Sequence, residues 1–284
     1  MMSLDLQQKQ FVSMYSGWLD AHLAELRQFK MCSEVLFKSQ EYSLLSAGKR
    51  FRPFLTYLVY SLFSSDYSKI KNFSFAVEMI HTYSLIHDDL PCMDNDDLRR
   101  GQPTNHKVFS EEVALLAGDG LLTDAFFMVS SDQSLDAEIK IKLITLLSDK
   151  AGSTGMVGGQ ALDMLADKNL NLQQLKKIHT LKTANLIEAA AMGGALAAQA
   201  NQAELHNISK FSHALGMAFQ IKDDLLDVGD KGQDYKSYVA LLGLEKTAQE
   251  LQTYSTEARQ ALGSVTGNKA LLIELINYNL KRDA

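Results

Sequence analysis

The chain has 284 residues, 46% hydrophobic and 22% charged, which is enough apolar material for a packed core, so the chain need not be disordered. Lys and Arg total 28 against 34 Asp and Glu, and the net charge of −6 argues against a general electrostatic footprint for DNA or RNA, so a polyanionic ligand must be held by local chemistry. Two cysteines, Cys32 and Cys92, support neither a disulfide framework nor a zinc cluster and fit the reduced thiols of a cytoplasmic protein.

Taken from the start, Met1 to Leu26 is amphipathic, with Asp5, Asp20 and Glu25 and without the basic start and apolar run of a signal peptide. The turn at Ala47-Gly48 leads into Lys49-Arg50-Phe51-Arg52-Pro53, three cations before an apolar run, Phe54 to Phe63, that reads as a buried helix. A helix start of this kind favours anions. That run and Leu186 to Ala200 are both shorter than the roughly 20 residues of a spanning helix, so no membrane insertion is expected.

Phe75 to Ile86 reads as a helix that Pro91 must stop, so Asp88 and Asp89 fall in its last turn, followed by Asp94, Asp96 and Asp97. Carboxylates are disfavoured there, because the last carbonyls already carry negative potential. Arg99-Arg100-Gly101-Gln102-Pro103 follows as a turn. Apolar residues then recur at helical spacing, as in Ile141, Ile144 and Leu147 and in Leu172, Leu175, Ile178 and Leu181, with breaks near Ser131 to Ser134 and Lys168 to Asn171. Gly158-Gly159-Gln160-Ala161-Leu162-Asp163 places small residues where two helices can approach closely, and Lys182-Thr183 interrupts an Ala- and Leu-rich helix.

A second acidic cluster, Asp223-Asp224-Leu225-Leu226-Asp227, closes a helix before Gly229 and Gly232, with spacings of three and four that let the carboxylates share a face. Either cluster alone would read as a solvated acidic helix end, but two helix ends carrying the same unfavourable grammar become explicable if divalent cations bind there. Oxygen-only donors point to magnesium, which takes one or two carboxylates and completes its octahedron with water and phosphate. There is no strand alternation, no repeat and no linker. The chain reads as a single all-α unit of about ten or more helices, and only three prolines, none after Pro103, interrupt it.

These motifs occur together and in order, and from about Glu41 to Leu244 the chain resembles the trans-isoprenyl diphosphate synthases, in particular the bacterial farnesyl type and its plastid geranylgeranyl relatives. The resemblance implies one polyprenyl synthetase domain over 1–284, a helical bundle around a deep central cavity, the two acidic clusters facing across its mouth, and a homodimer. It implies isopentenyl diphosphate and an allylic diphosphate as substrates and three magnesium ions as cofactor. Asp88, Asp89, Asp94, Asp223, Asp224 and Asp227 would hold the ions on the allylic diphosphate, supported by Arg99, Lys182, Thr183 and Gln220. Lys49, Arg52, His81 and Arg100 would hold isopentenyl diphosphate. Of these, Asp88, Asp89, Asp94, Arg99, Lys182, Asp223 and Asp224 would carry the catalytic step.

The resemblance places the limit on product length just before the first aspartates, so Tyr83, with Ser84 beside it and one turn or more before Asp88, would favour a fifteen-carbon product, a geranylgeranyl diphosphate synthase being the alternative. Two departures from the family pattern stand out. Ala47 replaces the first glycine of Gly-Gly-Lys-Arg, and the stretch after Asp227 is short by roughly ten residues, leaving Lys231 and Lys236 as candidates for a phosphate-contacting lysine. Intact acidic clusters count against a non-catalytic subunit, and a second Asp-Asp-x-x-Asp counts against a terpene cyclase.

Overall fold

A computed structural model describes residues 3–29, 33–46, 48–228 and 235–283. Cys32, Ala47, Gly229, Lys231 and Gly232 lie outside the described residues. Among those described, the helices in chain order are α1 (Leu4–Phe29), α2 (Glu34–Leu45), α3 (Phe51–Tyr60), α4 (Lys71–Asp88), α5 (Asn105–Val108), α6 (Glu111–Ser130) and α7 (Ala137–Ala151). They continue with α8 (Met156–Leu165), α9 (Leu172–His179), α10 (Asn185–Ala197), α11 (Gln202–Leu226), α12 (Tyr238–Leu242), α13 (Leu244–Gly263) and α14 (Ala270–Lys281).

Local chemistry sets several ends. Ser33 and Ser110 cap α2 and α6 by accepting from the Leu36 and Val113 amides. Asn171 with Gln174, and Asn201 with Glu204, form reciprocal capping boxes that start α9 and α11. α4 ends where Pro91 requires, with Asp89 as its C-cap.

The core centres on α10, whose Leu186, Ile187, Ala189, Ala190, Ala191 and Ala195 are buried. Its alanines let neighbouring helices approach, and α3, α4, α7 and α11 pack around it. Phe54, Leu55, Leu58, Phe73 and Ile80 are fully buried against this helix set. Each such side chain contributes about 1.5–3 kcal/mol of transfer free energy. The Lys150–Glu188 ion pair borders this core at 3.0 Å, and the Ser209 hydroxyl donates to the same carboxylate at 2.7 Å.

Two features depart from expectation. Leu98–Arg99 and Gln102–Pro103 pair as a short antiparallel hairpin, β1 and β2, where no strand was expected. Four strand residues are too few for alternation to register, and the turn itself forms the element. Its two central residues, Arg100 and Gly101, have φ of 55° and 77°, the left-handed pair that a two-residue hairpin requires. The other departure is α6, which by length and composition is apolar enough to cross a membrane. Its inner face packs on α4, while Leu115, Leu116 and Phe127 are exposed.

Candidate functional site

The C-terminal end of α4 carries the first acidic cluster on a tight loop in which the Asp94 amide donates to the Asp88 carbonyl at 2.8 Å. This fold-back brings Asp94 beside Asp88, although six residues separate them. Burial is the largest influence on Asp88 and raises its carboxyl to about 6, with Asp94 and Asp89 adding to the rise and Lys182 and Arg99 opposing it. Asp89 is buried and differs in its partner. Arg99 Nε donates to both of its oxygens, at 2.7 and 3.0 Å, and Nη2 to Oδ1 at 2.5 Å. Burial pushes Asp89 upward, and this guanidinium fork opposes it.

The hairpin turn sends the two neighbouring arginines to different places. Arg99 reaches back to Asp89, whereas the Arg100 guanidinium lies against Gly48, where a Cβ would come within 2.5 Å of its Nη1. Arg100 therefore joins the Lys49 to Arg52 segment at the start of α3. Arg50, itself at φ 48°, turns inward to Glu78 at 2.9 Å and to the carbonyls of Leu44 and Ser46. It anchors the turn. Arg52 and Arg100 remain electrostatic neighbours around His81, while Lys49 turns toward α14 and stands near Asp223. Burial pulls Arg52 down to about 10, with Glu78 opposing and Arg100 reinforcing, and its Nε has no hydrogen-bond partner. His81 lies among these guanidiniums; burial first, then Arg52, Arg100, Arg99 and Arg50, hold it well below the ordinary histidine range. Lys49 Nζ donates to the Tyr278 hydroxyl at 3.4 Å, on α14.

Between the two acidic clusters the helix running from α9 to α10 widens into a π turn, Thr180–Ala184. This is the interruption expected at Lys182-Thr183. Such turns redirect side chains without ending the helix. The turn is pressed against α8: a Cβ on Gly159 would lie 2.3 Å from the Lys182 amide nitrogen and 2.8 Å from the Leu181 carbonyl carbon. Only glycine permits that backbone approach. Lys182 donates to Asp163 Oδ2 at 2.6 Å and is the strongest charged neighbour of Asp88. On the other side, Thr183 Oγ1 donates to Gln220 Oε1 at 2.9 Å, and Gln220 Nε2 donates to Asp224 Oδ1 at 3.3 Å. One π turn thus sets Lys182 as an electrostatic neighbour of the first cluster and links Thr183 to the second through Gln220.

Asp223, Asp224 and Asp227 close α11 and remain electrostatic neighbours. Their surroundings nevertheless diverge. Asp224 is buried, accepts the Tyr238 amide at 2.7 Å and is raised to about 7, chiefly by burial. Asp223 accepts from Arg282, beyond the end of α14, and burial raises it against that pairing. Arg282 also donates to the Phe219 carbonyl at 3.1 Å and lies 4.3 Å over the Phe219 ring. Sequence reasoning missed Arg282, since nothing in its local pattern marks it. It also left Lys236 open, and the structure seats Lys236 Nζ on the Asp163 carbonyl at 2.6 Å.

A cavity of about 700 Å3 opens beside the first cluster, with Arg52, His81, Tyr83, Asp88, Lys182 and Thr183 on its wall. The rest of the wall is largely apolar, including Leu115, Met156, Val157 and Met164. Ser84, also on the wall, donates its hydroxyl to the His81 carbonyl at 2.9 Å. Tyr83 is 5% exposed, meets the His87 ring edge-on at 5.7 Å, and is raised to about 12 by burial and Asp88. A polar rim over an apolar hollow suits a ligand with a charged head and a hydrocarbon tail.

Among the described residues no three His, Cys, Asp or Glu side chains converge as a ready metal cage. The donor chemistry still fits magnesium. The carboxylates of Asp88, Asp94 and Asp227 make no hydrogen bond or ion pair with a described residue, and Asp88 is raised chiefly by burial, with Asp94 and Asp89 adding to it. A hard cation that takes one or two carboxylates, with phosphate and water completing its shell, matches such sparse donors.

The chain matches the family described as Polyprenyl synthetase over residues 33–240. It is 43% identical over 265 residues to a farnesyl diphosphate synthase of Bacillus subtilis (strain 168), covering 88% of this chain and 90% of that one. It is 40% identical over 264 residues to a chloroplastic geranylgeranyl pyrophosphate synthase of Catharanthus roseus, covering 87% and 74%. Among solved structures, a geranyltransferase from Legionella pneumophila aligns with a TM-score of 0.89 at 33% identity, over 97% of this chain and 96% of that one.

Proposed function

Because the chain belongs to the polyprenyl synthetase family, and is a prenyltransferase acting on isoprenoid diphosphates, we propose that it condenses isopentenyl diphosphate with dimethylallyl and then geranyl diphosphate to give farnesyl diphosphate and pyrophosphate. The observation that carries the fifteen-carbon product is Tyr83, a nearly buried ring on the wall of the apolar cavity, one turn before Asp88.

In this reading the allylic diphosphate lies at the rim between Asp88, Asp94 and the second cluster, with its tail in the cavity. Magnesium held by these aspartates would neutralise the diphosphate and favour its departure with the electrons of the C–O bond. Lys182 and Arg99 supply fixed positive charge toward the same group, already oriented by Asp163 and Asp89. Lys49, Arg52 and Arg100 hold the second diphosphate, and His81, kept neutral by its surroundings, donates a hydrogen bond without adding charge. Holding both substrates sets the double bond of one against the allylic carbon of the other. The apolar wall keeps water from the cation.

We propose further that the chain works as a homodimer. α6 exposes Leu115, Leu116 and Phe127 on a helix otherwise packed into the bundle, and a second copy covering that face would remove them from water. Light scattering with Leu116→Glu/Phe127→Glu should give a monomer.

The test of function is product analysis with magnesium, labelled isopentenyl diphosphate and each of dimethylallyl, geranyl and farnesyl diphosphate. A fifteen-carbon end point is expected, with Asp88→Ala and Asp224→Ala each slower by orders of magnitude. A twenty-carbon end point would replace the product assignment, and retained turnover in both variants would remove the aspartates from the reaction.

A further inference from the structure

Two lysines far apart in the sequence meet on one carboxylate. Lys182, from the π turn, donates to Asp163 Oδ2 at 2.6 Å. Lys236, from the segment leading into α12, lies 3.4 Å from Asp163 Oδ1 and donates to the Asp163 carbonyl at 2.6 Å. Asp163 sits near the C-terminal end of α8, where a carboxylate is disfavoured by the helix carbonyls. Burial opposes its ionisation as well, yet Lys182 and Lys236 hold it below the ordinary carboxylate range. The pairing is built from both sides. Gly159 allows α8 to touch the π turn backbone to backbone, and Tyr235 donates its hydroxyl to the Ala166 carbonyl at 3.1 Å, fixing the segment that carries Lys236. Two residues on, the Tyr238 amide donates to Asp224.

We propose that Asp163 is a positioning residue, the shared counter-anion that holds the Lys236 ammonium beside that of Lys182, which lines the cavity, so that both serve one diphosphate. Asp163 itself does not touch substrate. Lys182 pairs with Asp163 and is an electrostatic neighbour of Asp88, while the segment that carries Lys236 reaches the second cluster through the Tyr238 amide on Asp224. Without the carboxylate the two ammoniums repel, and each long side chain recovers its rotamer freedom. The diphosphate in question is that of the allylic substrate, and to that extent the inference rests on the function proposed above.

The experiment measures pyrophosphate binding by calorimetry, with magnesium present, for the wild type, Asp163→Asn, Asp163→Glu, Lys236→Met and the Asp163→Asn/Lys236→Met double variant. Loss of charge-assisted pairing predicts about tenfold weaker binding for Asp163→Asn, with partial recovery in Asp163→Glu. The double variant should be weaker than Lys236→Met alone by much less than tenfold, since one of the two cations to be positioned is gone. In steady state, the KM for allylic diphosphate should rise while that for isopentenyl diphosphate stays within about twofold, because Lys49, Arg52 and Arg100 do not touch Asp163. Unchanged pyrophosphate binding in Asp163→Asn, or effects that simply multiply in the double variant, overturn the proposal. If Asp163→Asn does not fold, Lys236→Met with unchanged binding overturns it. A wild type that binds pyrophosphate but incorporates no isopentenyl diphosphate with any starter overturns the proposed reaction and leaves the positioning role to be judged on the calorimetry.

Discussion

The Arg282 guanidinium, near the C-terminus, closes on the Asp223 carboxylate at the opening of the second acidic cluster, with only 7% of the Arg282 side chain exposed. Asn279 accepts from Arg282 Nε at 2.9 Å and donates to the Ala218 carbonyl at 3.0 Å, so the end of α14 is fastened to α11. Arg282→Gln should therefore loosen the C-terminal helix and cost about 2 kcal/mol of stability, the scale of a hydrogen bond to a charged group. Urea unfolding measures it; an unshifted midpoint would show that the clasp contributes nothing.

Gly159→Ala should lower both stability and turnover. A methyl group there meets the Lys182 amide at 2.3 Å, backbone that cannot step aside without moving the π turn, and overpacking of this kind costs about 1–3 kcal/mol. Gly17→Ala is the matched control, since nothing lies within 4 Å of its added carbon and α1 should gain helix propensity. Equal melting temperatures and rates for the two variants would refute the close-approach argument.

Tyr83→Ala should lengthen the product, because the ring on the cavity wall is replaced by space for further isoprene units. Tyr83→Phe should leave the product unchanged, since the hydroxyl has no hydrogen-bond partner and only the ring's bulk is used. Chromatography of the dephosphorylated products distinguishes them. The same chain length from all three proteins would remove Tyr83 from the cavity floor.

His81 carries a pH prediction. Its folded value is held well below 6.5 by burial and four arginines, whereas in the unfolded chain it titrates near the ordinary value. Below about pH 6.5 the unfolded chain takes up a proton that the folded chain refuses, so stability falls as pH falls, and this contribution is fully present above that value. His81→Gln should lose less stability than wild type between pH 7 and 5.5 in chemical denaturation. Identical slopes for the two proteins would mean that His81 titrates alike in both states.

The helices and the two acidic ends were legible in the sequence, because helical periodicity, capping residues and Pro91 act over a few residues and need no distant partner. That is why α4 stops at Asp88 and α10 spans the Ala-rich run as expected. The hairpin at Arg99 and Arg100 was read only as a turn, since its strands are two residues long. Which charges act, and on what, depended on contacts across the chain. Arg50 pairs with Glu78 while Lys49 reaches Tyr278 on α14, Asp89 is occupied by Arg99, and Asp223 and Asp224 take their partners from Arg282 and Tyr238. The sequence alone determined that this chain is a helical bundle carrying two acidic helix ends, because local forces suffice for that. Only the tertiary structure decided that Arg282 would close on Asp223 and that Asp163 would gather Lys182 and Lys236, because each pairing depends on long-range packing that no local pattern encodes.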